Sequence, residues 1–225
     1  MIWRRLVTRL RERRLGCFRL ETRPSRGTVR AGNRRPSCRY WESAALKERI
    51  ARYYAEYHGV TVEPARIVLT CGASPALVLA LHTLFAPGAR IAFARPGYVA
   101  YRNVTRALHL EPVEIDCGPD THFQLTARAL DALDPAPDGI ILSSPANPTG
   151  SVIPNDELIA IAQLCAARGI AIISDEIYHG LSHVGPLRSA LELDPSALVI
   201  NSFSKYYSMA GWRLGWLIVP DALAP

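Results

Sequence analysis

Apolar and polar positions begin to recur in an orderly way at Ser43. Ala45, Leu46, Ile50, Tyr53, Tyr54 and Tyr57 return at helical spacing, with Lys47, Glu48, Arg49, Arg52 and Glu56 between them. Gly59 stands where such a helix should stop, and the pattern predicts an amphipathic helix. Residues 66–70 (R-I-V-L-T) predict a short strand, followed by Gly72, Ala73 and Ser74 and an apolar helix from Pro75 to about Phe85. The alternation predicts further strands near 90–94, 110–115, 139–143, 170–174, 198–202 and 214–219. Helices are expected near 98–107, 126–133 and 154–168, with a short one after Asp175. Runs such as 139–142 (G-I-I-L) and 169–173 (G-I-A-I-I) have no polar face, so their strands should be covered on both sides. The expected fold class is therefore α/β, a three-layer α-β-α arrangement around a mainly parallel sheet. Ligands of such sheets bind beyond the carboxyl ends of the strands.

Length and composition narrow the picture. A chain of 225 residues suits one large α/β domain and is short for two. Its longest apolar stretch, Leu77 to Phe85, is broken by His82 and Thr83, so no membrane span is expected. The cysteines at 17, 38, 71, 117 and 165 are odd in number and form no C-x-x-C pair. They read as reduced thiols of a cytoplasmic protein, with neither a disulfide framework nor a zinc site. His179 and His183 are four apart, but Gly180 lies between them and no acidic third ligand follows, so they read as a loop pair and no metal is expected. No nucleotide P-loop or dinucleotide fingerprint occurs.

The net charge of +6 is unevenly spread. Residues 1–39 hold 13 arginines against Glu12 and Glu21, which leaves 13 basic and 18 acidic groups for the rest of the chain. That Arg-rich segment has no sustained helical or strand period. Three readings of it stay open: an arm for nucleic acid or an acidic surface, a targeting peptide, and a disordered or mistranslated start. The abrupt change of composition near Tyr40 fits the last. Only two of the 26 basic residues, Lys47 and Lys205, are lysines. Chemistry that needs a primary amine has no other candidates, because arginine does not deprotonate in proteins.

Polar clusters stand where the strands end: T-C-G-A-S at 70–74, A-R-P-G-Y at 94–98, S-S-P-A-N-P-T-G at 143–150, S-D-E-I-Y at 174–178 and N-S-F-S-K at 201–205. Taken singly several are ordinary. Gly72, Ala73 and Ser74 suit a tight turn, Pro96-Gly97 and Asn147-Pro148 are common turn dipeptides, and Asp175 could cap a helix. Their conjunction carries more information. The run S-F-S-K-x-x-x-x-x-G-W-R-x-G-W at 202–216, preceded in order by N-P-T-G and S-D-E-I-Y, resembles the active-site signature of the class I/II aminotransferases. These are fold-type I enzymes dependent on pyridoxal phosphate, and the resemblance covers about residues 41–219.

Such an enzyme needs a lysine to hold the cofactor's aldehyde, an acid for the pyridine nitrogen, donors for the ring oxygen and a cradle for the phosphate. The resemblance implies that Lys205 is the lysine that forms the imine and moves a proton at the substrate α-carbon, with Asp175 as the partner of the pyridine nitrogen. Asn147 and Tyr178 match the positions that hydrogen-bond the ring oxygen, and Tyr98 matches the aromatic that stacks on the ring. Gly72, Ala73 and Ser74 would offer backbone donors at a helix N-terminus to the phosphate, where Ser202 and Arg213 match its remaining ligands. Lys205, Asp175 and Tyr178 are thus the expected catalytic set. Lys47 lies on the polar face of a helix with no motif around it.

The resemblance also has gaps. The family's small domain is built from the N-terminal segment and the final third of the chain, and this sequence stops at Pro225. The expectation is an Arg-rich segment over 1–39 and a partial cofactor-binding large domain over 40–225, lacking the C-terminal small domain and the arginine that grips the substrate carboxylate. Tyr40 is the candidate for the tyrosine that reaches a partner subunit's phosphate, although the glycine usual after it is absent. The implied activity is amino-group exchange between an amino acid and a 2-oxo acid in a cytoplasmic protein, homodimeric when full length, with neither nucleic acid nor membrane as partner. A carbon–sulfur β-lyase on the same scaffold would use every residue named above, and a non-catalytic fragment is the third reading.

Overall fold

The computed structural model describes residues 43–224; the expectations for residues 1–39 and for Tyr40 lie outside them. Helix α1 (Ala44–His58) begins where the Ser43 side chain accepts a hydrogen bond from Leu46 N, and it ends at Gly59 in the left-handed conformation. Strand β1 (Ile67–Thr70) and helix α2 (Ala73–Leu84) follow. Then come β2 (Arg90–Arg95), α3 (Val99–Ala107), β3 (Glu111–Asp116) and the short α4 (Ala127–Asp131). The order closes with β4 (Gly139–Ser143), α5 (Asn155–Arg168), β5 (Ala171–Asp175), β6 (Leu198–Ser202) and β7 (Gly215–Ile218).

The seven strands form one sheet in the order β1-β7-β6-β5-β4-β2-β3. Strands β6, β5, β4, β2 and β3 run parallel, while β7 is antiparallel to both of its neighbours, β1 and β6. The apolar strand runs have no polar face because successive residues feed two different cores. Ile140, Leu142, Ile172, Val199, Trp216 and Ile218 pack with residues of α1, α4 and α5. Ile141, Ile173, Leu198, Ile200 and Leu217 pack with residues of α2 and α3 in the second cluster. Helices therefore cover both faces, as the sequence predicts. Burial of each large aliphatic side chain contributes about 1.5–3 kcal/mol, so both layers hold the sheet by the same effect.

One expected element is absent. The segment after Asp175 is a turn rather than a short helix. Ile177 N donates to Asp175 Oδ1 at 3.2 Å, and Glu176 N donates to Ile200 O of β6 at 2.8 Å. The bonds that follow are i to i+3, His179 N to Glu176 O and Leu181 N to Tyr178 O, each at 3.0 Å, so the segment turns without entering a helix.

Chain direction fixes where a ligand can sit. β2 leads to β3 on one side, whereas β4 leads to β5 on the other, so the connections that leave β2 and β4 run in opposite directions. The loops after β2 and β4 consequently part at their carboxyl ends and open a crevice.

Candidate active site

A cavity of about 250 Å³ occupies that crevice, with Tyr98, Asn147, Asp175, Tyr178, Lys205 and Arg213 in its wall. At one end lies the turn from β1 into α2. Gly72 has φ 97°, and a Cβ there would stand 2.7 Å from Arg213 Nη2, so only glycine lets the guanidinium lie against this turn. Gly215 serves the same approach from the other side: a Cβ on it would come within 2.8 Å of the Gly72 carbonyl carbon and of Asn201 O. Arg213 Nη2 donates to Cys71 O and Nη1 to Ala210 O, each at 3.2 Å. Helix α2 has no side-chain cap and no acidic residue in its first turn, and Ala73 and Ser74 line the cavity. A guanidinium beside the positive end of a helix dipole is a favourable arrangement only around an anion.

Asp175 ends β5 and is buried. Tyr101 OH donates to its Oδ2 at 2.8 Å, and Ile177 N donates to Oδ1. Burial nevertheless pushes this carboxyl from its ordinary 3.8 up to about 6, with the two hydrogen bonds opposing the rise. None of the ion pairs among the described residues involves Asp175. A buried carboxylate in a cavity wall with no cation beside it is an unbalanced charge, and it favours a ligand that brings a cation.

Lys205 sits in the loop between β6 and β7, which is tied by Met209 N to Phe203 O and by Ser208 N to Lys205 O. Its Nζ is 5.9 Å from the centre of the Tyr178 ring. Burial raises the Tyr178 hydroxyl above its ordinary value, Asp175 and Tyr98 add to the rise, and the neighbouring Asn147 side chain opposes it. The Tyr98 ring meets Tyr101 edge-on, with centroids 5.5 Å apart. Lys47, the other lysine, is on α1 and outside the cavity wall.

Two features depart from the sequence reading. Ser202 is 1% exposed and does not line the cavity; its Oγ accepts from Ser204 N at 3.1 Å, and Ser204 lines the wall instead. Tyr101 is the contact that sequence reasoning missed. It lies in the first turn of α3, three positions after Tyr98 at the helix's N-cap, and that short spacing beside a candidate residue is the signal that could have found it.

Comparison with known proteins gives the family context. Residues 21–224 match the family model described as aminotransferase class I and II. Over 180 residues the chain is 51% identical to the valine–pyruvate aminotransferase of Mycobacterium tuberculosis, covering 79% of this chain and 46% of that protein. It is 34% identical to the aspartate aminotransferase of Geobacillus stearothermophilus, covering 78% of this chain and 46% of that one. A crystal structure of an aminotransferase from Mycobacterium tuberculosis superposes with a TM-score of 0.78 at 51% identity, over 80% of this chain and 47% of that one. The chain spans about half the length of the curated relatives it matches.

Proposed function

Because the chain belongs to the class I and II aminotransferases, we propose that it binds pyridoxal phosphate in the crevice beyond β2, β4 and β5 and serves amino-group exchange between an amino acid and a 2-oxo acid. The observation that carries this reading is the union of three unlike needs in one cavity: an amine, a buried uncompensated carboxylate and an anion cradle. The residues fit the group. Arg213 and the uncapped start of α2 at Gly72, Ala73 and Ser74 suit its phosphate, and Asp175 suits its ring nitrogen. Asn147 and Tyr178 suit its ring oxygen, and Tyr98 suits its face. Ser204 joins Ser202 as a candidate hydroxyl near the phosphate, because it is Ser204 that lines the wall.

When bound, pyridoxal phosphate supplies an aldehyde that carries the amino group and a protonated ring that withdraws the electrons left at the substrate α-carbon. The chain supplies the rest. Lys205 Nζ would hold the cofactor through its aldehyde and would move the proton at that carbon. Asp175 would keep the proton on the ring nitrogen, and Tyr101 holds Asp175. Tyr178 and Asn147 would stabilise the ring oxygen as an anion.

In this reading residues 40–225 belong to a cofactor-binding domain of a cytosolic homodimer. Tyr57, Tyr206, Tyr207 and Trp212 are exposed large aromatics of the kind that protein surfaces cover, which supports further protein packed beside the site. Among the described residues no helix is long and apolar enough to cross a membrane. The relative's valine–pyruvate activity makes valine and pyruvate the first pair to assay.

The test is a titration of the full chain with pyridoxal phosphate, followed by borohydride reduction and peptide mapping. An absorbance band near the edge of the visible range is expected, with the reduced adduct on Lys205 and both lost in Lys205→Ala. Soluble, folded protein that gives no band, or a band unchanged in Lys205→Ala, refutes the proposal.

A further inference from the structure

Asp175 and Glu176 are adjacent in the chain and meet different surroundings. Asp175 contacts Tyr101 of α3, whereas Glu176 lies among groups from α1 and from the segment at Ser189–Glu192, none of which line the cavity. Glu176 is 1% exposed. Its Oε1 accepts from Ser174 Oγ at 3.2 Å, Ser189 Oγ at 2.9 Å and Ala190 N at 2.9 Å. Its Oε2 has no hydrogen-bond partner among the described residues, and neither has His179 Nδ1, which stands 3.5 Å away. The Ser144 backbone faces the same imidazole and favours its protonated form. Nδ1 is unpartnered and faces Oε2, so a neutral ring that carries its proton on Nε2 presents a lone pair to the carboxyl.

Two buried acceptors facing each other repel, and each lacks a donor. One proton between them removes both costs. We propose that Glu176 Oε2 and His179 Nδ1 share a single proton, carried by the carboxyl, and that this neutral pair is the positioning unit of the turn bearing Asp175 and Tyr178. Its bearing on the cofactor rests on the function proposed above. The geometry explains the effect on position. Tyr178 lies between Glu176 and His179 in the chain, and His179 reaches Ser144 at the start of the turn that carries Asn147. Glu176 reaches Ser189 and Ala190 by its side chain and Ile200 of β6 by its N–H. The pair thus ties the turn after β5, which carries Asp175 and Tyr178 into the cavity wall, to the Ser189–Ala190 segment and to β6 behind it.

Ionisation energetics point the same way. Burial pushes Glu176 up to about 7 and His179 down to about 4, so an acid opposite a neutral imidazole is the favoured state below about 7. The groups facing the pair are Asp175 on its own turn, His58, Tyr53 and Tyr54 of α1, and Glu192, which Arg188 holds at 3.1 Å. Burial also lowers His58, which leaves it mainly neutral and unable to compensate a Glu176 carboxylate. Losing the shared proton above about 7 therefore leaves a buried charge against a lone pair and loosens the turn.

Two measurements on the full chain test this. In the cofactor-free protein, nitrogen NMR of the His179 ring, identified by its loss in His179→Gln, should show a neutral ring protonated at Nε2 at about pH 6. An imidazolium at that pH overturns the proposal. The second measurement is the pyridoxal phosphate absorbance titration as a function of pH. Between about pH 6 and 8.5 wild-type affinity should fall about tenfold relative to that of Glu176→Gln, which keeps a neutral donor toward Nδ1; the titration of Asp175 is common to both and cancels in the ratio. Glu176→Ala should be weaker at every pH. Parallel pH profiles for wild type and Glu176→Gln overturn the proposal. The NMR arm needs no cofactor, so absence of a band in every variant would count against the cofactor reading and leave the proton's position still decided.

Discussion

Replacing Asp175 by Asn should stabilise the cofactor-free chain at neutral pH while destroying its use of the cofactor. A carboxyl raised from 3.8 to about 6 binds its proton more tightly in the folded protein than in the unfolded one. Stability from this group is therefore fully present below 3.8 and is lost as pH rises toward about 6. At about 1.4 kcal/mol for each tenfold change in proton affinity, the charged group costs the fold about 3 kcal/mol at neutral pH. Asparagine removes the charge and can still accept from Ile177 N and bond the Tyr101 hydroxyl, so most of that cost should vanish. The assay is urea unfolding of both proteins from about pH 3.5 to 8, read as their difference so that other groups cancel. The difference should be near zero at the acid end and grow to about 1–3 kcal/mol in favour of Asn above about pH 6. A difference flat with pH, or growing in favour of the wild type, refutes the account of Asp175 as an uncompensated buried charge. With saturating cofactor the order should reverse, because a ring cation then pairs with the carboxylate.

Other outcomes follow from the same geometry. Tyr101→Phe removes the hydroxyl that donates to Asp175 and should cost about 1–3 kcal/mol in urea unfolding at neutral pH, and less in acid, where Asp175 is protonated. Gly72→Ala places a Cβ at φ 97° and 2.7 Å from Arg213 Nη2. It should destabilise the chain by about 1–3 kcal/mol and weaken cofactor uptake, measured by unfolding and by absorbance titration. Arg213→Lys keeps the charge but loses the fork that spans Cys71 O and Ala210 O, and should weaken pyridoxal phosphate binding by about tenfold or more with little change in unfolding. Comparing Ser202→Ala with Ser204→Ala by the same titration separates the two hydroxyls. The geometry expects the larger loss of affinity in Ser204→Ala, since Ser204 lines the cavity and Ser202 is sealed beneath it.

Much of the architecture was legible in the sequence because the signals for it are local. The helical spacing of Ile50 and Tyr54, the Ser43 cap and the stop at Gly59 are properties of one segment, and α1 follows them. The strand runs announce themselves by having no polar face. The order of polar clusters placed the candidate residues at strand ends, and all but Gly72 and Ser202 line the cavity. The misses are of another kind. The short helix expected after Asp175 gives way to a turn in which Glu176 N is drawn to Ile200 of β6, a partner that no local pattern encodes. Tyr101 reads as a plain core residue until Asp175 is seen beside it.

By itself, then, the sequence determined the succession of strands and helices, their burial on two faces and the inventory of chemical groups. Periodicity and turn chemistry are written in neighbouring residues. Tertiary structure alone decided that β7 runs antiparallel between β1 and β6, which brings Arg213 onto Gly72 from far along the chain. It also decided that Asp175 faces the cavity while Glu176, its neighbour, is sealed against His179. Strand direction and the environment of a buried acid depend on what packs there from elsewhere in the chain, and that is set by the whole fold.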